Sequence, residues 1–90
     1  MDNREIEETL LGKLIVNPEL IDKYSQLLHE DLFEYPFNKS TYHAIQKLKS
    51  KNKTIDILTV SKLIKGDHVA YNLSTMASKS FEFMESETCI

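Results

Sequence analysis

The chain alternates short apolar stripes with polar punctuation, and almost every stripe has a helical period. Ile6, Leu10, Leu11 and Leu14 recur at spacings of three and four and predict a first amphipathic helix. Asp2-Asn3-Arg4-Glu5 before it has the form of a capping box, a short polar acceptor followed three residues later by a Glu. Asn17-Pro18 predicts its end, since the residue before a proline is pushed out of the α region. Pro18 can open a second helix with Asn17 as cap, carrying Leu20, Ile21, Tyr24, Leu27 and Leu28 on one side. A short third element, Glu30 to Glu34, presents Leu32 and Phe33 before Pro36. Asn38 is expected to cap a fourth helix bearing Tyr42, Ile45 and Leu48, with its lysines outward.

Lys51-Asn52-Lys53 reads as a turn, and Asp56 as the cap of a fifth helix presenting Ile57, Val60, Leu63 and Ile64. Gly66 suits the left-handed position past that helix, and Asp67 is expected to cap a sixth segment with Ala70, Leu73 and Ala77 on one face. From Ser78 the pattern weakens, and Phe81, Phe83 and Met84 fit either a further helix or a frayed tail. No run of β-branched and aromatic residues alternates cleanly, so no sheet is expected. The fold class is therefore all-α, a compact bundle of about six short helices. The expected division is a helical domain over residues 1–77, followed by a tail or the start of a helical extension over 78–90.

Composition narrows the class without changing it. Ninety residues, 41% hydrophobic and 28% charged, make one globular domain. A chain this size buries only ~60% of its unfolded surface, so modest stability and help from partner surfaces are expected. A formal net charge of −3 argues against a dedicated nucleic-acid grip. Residues 1–9 are too polar for a signal peptide, and Leu14-Ile15-Val16 is far too short to span a bilayer, so the chain reads as cytoplasmic. The single cysteine, Cys89, has no intrachain partner, which fits a reducing compartment.

Candidate chemistry is sparse. Glu5, Glu7, Glu8, Glu30 and Asp31 sit where first-turn acids offset a helix dipole, and the expectation is that they are solvated decoration rather than a catalytic pair. His29, His43 and His68 lack a second ligand at i+3 or i+4, so no metal site is expected. Gly12-Lys13 lacks the preceding glycine of a phosphate-binding loop. Neither a catalytic residue nor a cofactor is called for. Lys47, Lys49, Lys51 and Lys53 are spread around a helix end, where cations favour the C-terminal dipole; a weak, salt-sensitive phosphate contact is the competing reading. Tyr24, Phe33, Tyr35, Phe37, Tyr42 and Tyr71 fall mostly on apolar stripes and are expected in the core. One helix face cannot bury all of Phe33, Tyr35 and Phe37, so part of that segment is a candidate contact surface.

Four stretches in order carry a family resemblance. They are Glu7-Glu8-Thr9-Leu10-Leu11-Gly12-Lys13-Leu14-Ile15-Val16-Asn17-Pro18; Leu32-Phe33-Glu34-Tyr35-Pro36-Phe37-Asn38 with Tyr42-His43-Ala44-Ile45; Ile55-Asp56-Ile57-Leu58-Thr59-Val60; and Ala70-Tyr71-Asn72-Leu73-Ser74-Thr75-Met76-Ala77. Together they resemble the N-terminal domain of DnaB-type replicative DNA helicases. Asn38 stands where that family often has a His, Thr54 where it often has a Pro, and Gly66-Asp67 replaces its Gly-Gly. The resemblance implies a non-catalytic interaction domain. It would help form the collar of a hexameric helicase by contacting other subunits and would recruit primase or a loader. Strand separation and ATP use belong to a motor domain that this stretch does not contain. The long helical hairpin that pairs subunits in the family is also not complete here, so a monomeric or weakly associating piece is expected. Candidate partner contacts are Phe33, Tyr35, Phe37, Lys47, Lys49, Lys51 and Lys53. The alternative is a stand-alone phage or mobile-element protein that mimics the collar and modulates replication; a DNA-binding helical domain is a further reading, and an enzyme the remotest.

Overall fold

The computed structural model describes the backbone of residues 3–88 and the side chains of residues 3–79. Among the described residues five α-helices follow one another: α1 (Asn3–Val16), α2 (Glu19–Lys23), α3 (Pro36–Ser50), α4 (Ile57–Leu63) and α5 (Val69–Thr88). A 3₁₀ turn at Glu30–Leu32 lies between α2 and α3, and there is no strand among the described residues. The all-α class follows directly. Asp2, half of the expected capping box, and Cys89 lie outside the described residues. So do the side chains of Phe81, Phe83 and Met84, although the α5 backbone is helical through Thr88.

α1 and α5 form the principal seam. Gly12 sits in it, and a Cβ at that position would lie 2.1 Å from the Met76 carbonyl oxygen. Only a residue with no side chain lets the two backbones come this close. The buried stripe of α1 is Leu11, Leu14 and Ile15, with Glu7 one turn earlier, while Ile6 is 51% exposed. The apolar face is thus turned away from the expected Ile6 line. Among the described side chains of α5, Val69, Leu73, Met76 and Ala77 are buried and Ala70 is exposed. α3 completes the core with Tyr42, Ala44, Ile45 and Leu48, and α4 adds Val60.

Several expected boundaries move, each for a local reason. α2 stops at Lys23, and residues 24–27 form turns closed by the Tyr24 carbonyl, which accepts from the N–H groups of Leu27 and Leu28. Only Ile21 of this five-residue helix is buried, too little packing to extend so short a segment. Tyr24 and Leu27 are left exposed rather than on a helical stripe. α3 begins at Pro36 rather than after Asn38, because extended Tyr35 (φ −81°, ψ 131°) satisfies the restriction before proline and Pro36 fits the first turn. α5 begins after His68, whose carbonyl accepts from the Asn72 N–H; Asp67 is in the preceding turn and does not cap it.

Other expectations hold in detail. Asp56 accepts from the Thr59 N–H at 2.8 Å while Thr59 Oγ1 accepts from the Asp56 N–H at 2.9 Å, a reciprocal capping box. The Lys51-Asn52-Lys53 turn ends α3 with Asn52 in the left-handed region (φ 55°). There the Lys53 N–H reaches the Leu48 carbonyl and the Asn52 N–H reaches the Lys49 carbonyl, the Schellman pattern with Asn in place of Gly. Gly66 has φ +136° and lies in the loop beyond α4.

Candidate docking surfaces

The segment that links the 3₁₀ turn to α3 is held from below by a buried acid. Glu7 is 5% exposed, and its carboxylate accepts from Asn38 Nδ2 at 3.1 Å and from the Glu34 N–H at 3.2 Å. A carboxylate out of water needs such donors, and these two join α1 to the start of α3. Glu7 is therefore not first-turn decoration, because the α1 register turns it inward. Asn38, expected as a cap, is itself 2% exposed and serves this bond. A signal was present: Glu7 is four and seven residues before Leu11 and Leu14, on the stripe that proves to be buried.

This anchoring sorts the aromatic segment. Phe33 is 1% exposed and packs on Tyr42 with ring centroids 4.9 Å apart, so it cannot meet a partner. Phe37 is half-buried against the core, and Tyr35 is exposed with the Arg4 guanidinium 5.8 Å from its ring centroid. Burial, and secondarily the nearby Glu30 carboxylate, raises the Tyr42 phenol above its usual pKa. Its hydroxyl accepts from Gln46 Nε2 at 3.0 Å. Tyr24 and Tyr71, expected in the core, are exposed, Tyr71 by 72%.

Tyr35 and Phe37 flank an open groove of about 710 Å³, which α1 and α5 close from the other sides. Its floor and rim include Arg4, Glu8, Tyr71, Thr75 and Lys79. Arg4 and Lys79 both pair with Glu8, and Glu5 adds a second carboxylate to the lining, so the groove carries two charges of each sign. A shallower depression of about 460 Å³ lies at the far end of α3, between Pro18, Asp22, Lys49 and Lys53. Here Lys49 pairs with Asp22 at 2.7 Å, while Lys47, Lys51 and Lys53 are exposed. The aromatic and basic candidates thus fall on opposite ends of α3 and form two surfaces.

Among the described residues no three His, Cys, Asp or Glu side chains gather as metal ligands. The His43 ring hydrogen-bonds the Glu30 carboxylate at an exposed position. Among the described residues no helix is long and apolar enough to cross a membrane.

By architecture the chain is an all-helical domain with open surface grooves. Comparison with known proteins gives that class a family. The DnaB-like helicase N-terminal domain family matches residues 1–82. Among curated proteins, the chain is 30% identical over 67 residues to the replicative DNA helicase DnaB of Rickettsia conorii, covering 74% of this chain and 14% of that one. It is 32% identical over 59 residues to the replicative DNA helicase DnaB of a Nostoc species, covering 66% of this chain and 7% of that one. The Rickettsia felis replicative DNA helicase DnaB is 28% identical over 67 residues. The chain belongs to the DnaB-like helicase N-terminal domain family. It spans about a seventh or less of the length of these relatives. No solved structure matches significantly.

Proposed function

We propose that this chain is a non-catalytic protein-interaction domain of a replicative DNA helicase, which supports assembly of the hexameric collar and docks primase or a loader during DNA replication in the cytoplasm. The observation that carries the reading is the family match over residues 1–82, nearly the whole chain. The site geometry is compatible with it: exposed side chains border open grooves, and the sequence has no phosphate-binding glycine loop with which to use ATP. A domain that works by contact needs a rigid scaffold and addressable surfaces rather than a poised nucleophile.

The test is direct association. The purified chain is mixed with the primase, the helicase loader and the motor domain of its source organism, and complexes are sought by sedimentation velocity. A complex with at least one of these proteins supports the reading. Sedimentation as a lone species beside all of them, at tens of micromolar, removes it.

A further inference from the structure

Charge is segregated along this chain far more sharply than its net value of −3 suggests. Residues 39–65 carry seven lysines against one aspartate, a net of +6. Residues 1–38 carry nine acidic against three basic side chains, a net of −6. The basic stretch comprises most of α3, the Schellman turn and α4, and its one acid, Asp56, is engaged in the α4 cap. Lys49 within it is paired with Asp22, which leaves Lys47, Lys51, Lys53, Lys62 and Lys65 as its exposed cations.

The same hairpin exposes apolar surface. On α4, Leu58 is 63% and Leu63 is 42% exposed, although Val60 between them is fully buried. Leu58 and Lys62 are one helical turn apart and therefore adjacent on the solvent face. Lys51 and Lys53 stand exposed in the turn leading to that helix. Lysine ammonium groups and leucine side chains presented side by side suit a partner that brings carboxylates and apolar groups together. Nucleic acid matches half of that surface. It would use the lysines, but the only Phe, Tyr or Trp in residues 39–65 is Tyr42, which is 2% exposed and cannot stack on a base, and the exposed His43 ring is engaged by Glu30. Leucines add nothing to a phosphate contact.

We propose that the α3–α4 hairpin is a docking surface for an acidic amphipathic segment of a partner protein, with Lys51, Lys53 and Lys62 meeting its carboxylates and Leu58 and Leu63 its apolar face. That the occupant is a protein rests on the docking function above; the location and chemistry of the surface do not.

The probe is a synthetic helical peptide carrying Leu and Glu at alternating i, i+4 positions, titrated into the intact chain and followed by fluorescence anisotropy. An oligoglutamate of equal charge without leucine and a single-stranded oligothymidylate serve as comparisons. The leucine–glutamate peptide is expected to bind at least fivefold tighter than oligoglutamate, and to weaken as salt rises. Charge reversal at three exposed positions, Lys51→Glu, Lys53→Glu and Lys62→Glu together, is expected to weaken it at least tenfold. Leu58→Ser is expected to weaken it severalfold, and Lys23→Glu, outside the hairpin, to leave it unchanged. Circular dichroism confirms that each variant is folded, and Leu58→Ser keeps the test open should the triple variant unfold. Equal binding of all three probes, tighter binding of the oligothymidylate, absence of binding, or indifference to both hairpin variants each overturns the proposal. Primase or loader binding that survives both hairpin variants overturns this surface and leaves the docking function standing. Peptide binding by a chain that no replication protein recognises does the reverse.

Discussion

The α1–α5 seam and the α3–α4 hairpin are stabilised by opposite means. The seam depends on close approach: Gly12 admits the Met76 carbonyl, Leu11 and Leu73 are fully buried, and Glu7 is sealed beneath Asn38. Within the hairpin, α3 packs into the core through Tyr42, Ala44, Ile45 and Leu48. Its turn and α4 depend instead on local devices, a Schellman ending at Asn52 and a capping box at Asp56, with Val60 the buried residue of α4. Packing that tight leaves no side chain free to vary, whereas local capping leaves most of the hairpin surface uncommitted. A scaffold and an addressable face can thus share ninety residues because different interactions hold each.

The widest separation between the two regions is expected from Gly12→Ala. The added Cβ would meet backbone atoms of Met76 at 2.1 and 2.7 Å, and backbone cannot rotate aside as a side chain can. A loss of about 3 kcal/mol or more is expected, an overpacking cost at the upper end of the usual range. Chemical denaturation measures it, and a loss under about 1 kcal/mol would mean that the two backbones move apart to admit the methyl group. Glu7→Ala comes next, at about 2 kcal/mol, because it leaves the Asn38 amide and the Glu34 N–H without their acceptor. The double variant with Asn38→Ala is expected to lose less than the sum of the singles, since one bond cannot be broken twice. Strict additivity would show that the two side chains act separately.

Much of this division is legible in the residues. The stops at Pro18 and Pro36, the Asp56 cap and the Asn52 turn are short-range signals, and each appears within a residue or two of its expected place. What the pattern does not give is helix rotation. Ile6-Leu10 and Glu7-Leu11 are rival stripes one residue apart, and the choice between them is made by α5 and α3, not by α1. Choosing the more apolar stripe hides the role of Glu7. Asn38 misleads for a related reason: its side chain has two good uses, a cap or a buried amide, and only the neighbouring helix decides. The tyrosines are amphipathic, so Tyr35 and Tyr71 can lie on an apolar stripe and still face water. Of the candidate contacts, Lys47, Lys51 and Lys53 are readable as exposed, whereas which of Phe33, Tyr35 and Phe37 turns inward is not.

On the hairpin side, Asp56→Ala is expected to lose about 1 kcal/mol, the usual worth of an N-cap, with α4 fraying before the seam opens. Hydrogen exchange should show the local loss in α4 amides while those of α1 stay protected. Tyr42, at the junction of the two regions, adds a pH signature. Its folded-state pKa is raised, so its neutral form is favoured by the fold. That contribution is complete below the unfolded value near 10 and is lost as pH rises through the folded value. Ultraviolet titration should therefore contain a tyrosinate step above pH 10 that Tyr42→Phe removes. Its persistence in that variant would place the shifted phenol elsewhere.

The smallest effect is the most discriminating for the comparison. Lys49 and Asp22 pair at 2.7 Å and tie the end of α3 to α2, yet their side chains are 41% and 70% exposed. Water screens such a pair, and holding two long side chains in register costs conformational entropy, so Lys49→Ala should lose about 0.5 kcal/mol or less. What it loses should fade further in molar salt, where the screening length falls to about 3 Å. A salt-insensitive loss approaching that of Glu7→Ala would mean that the basic end of α3 is structural after all. The lysines would then be part of the scaffold, and the contrast between a packed seam and a free hairpin would fail at the residue where the two regions come closest to sharing a role.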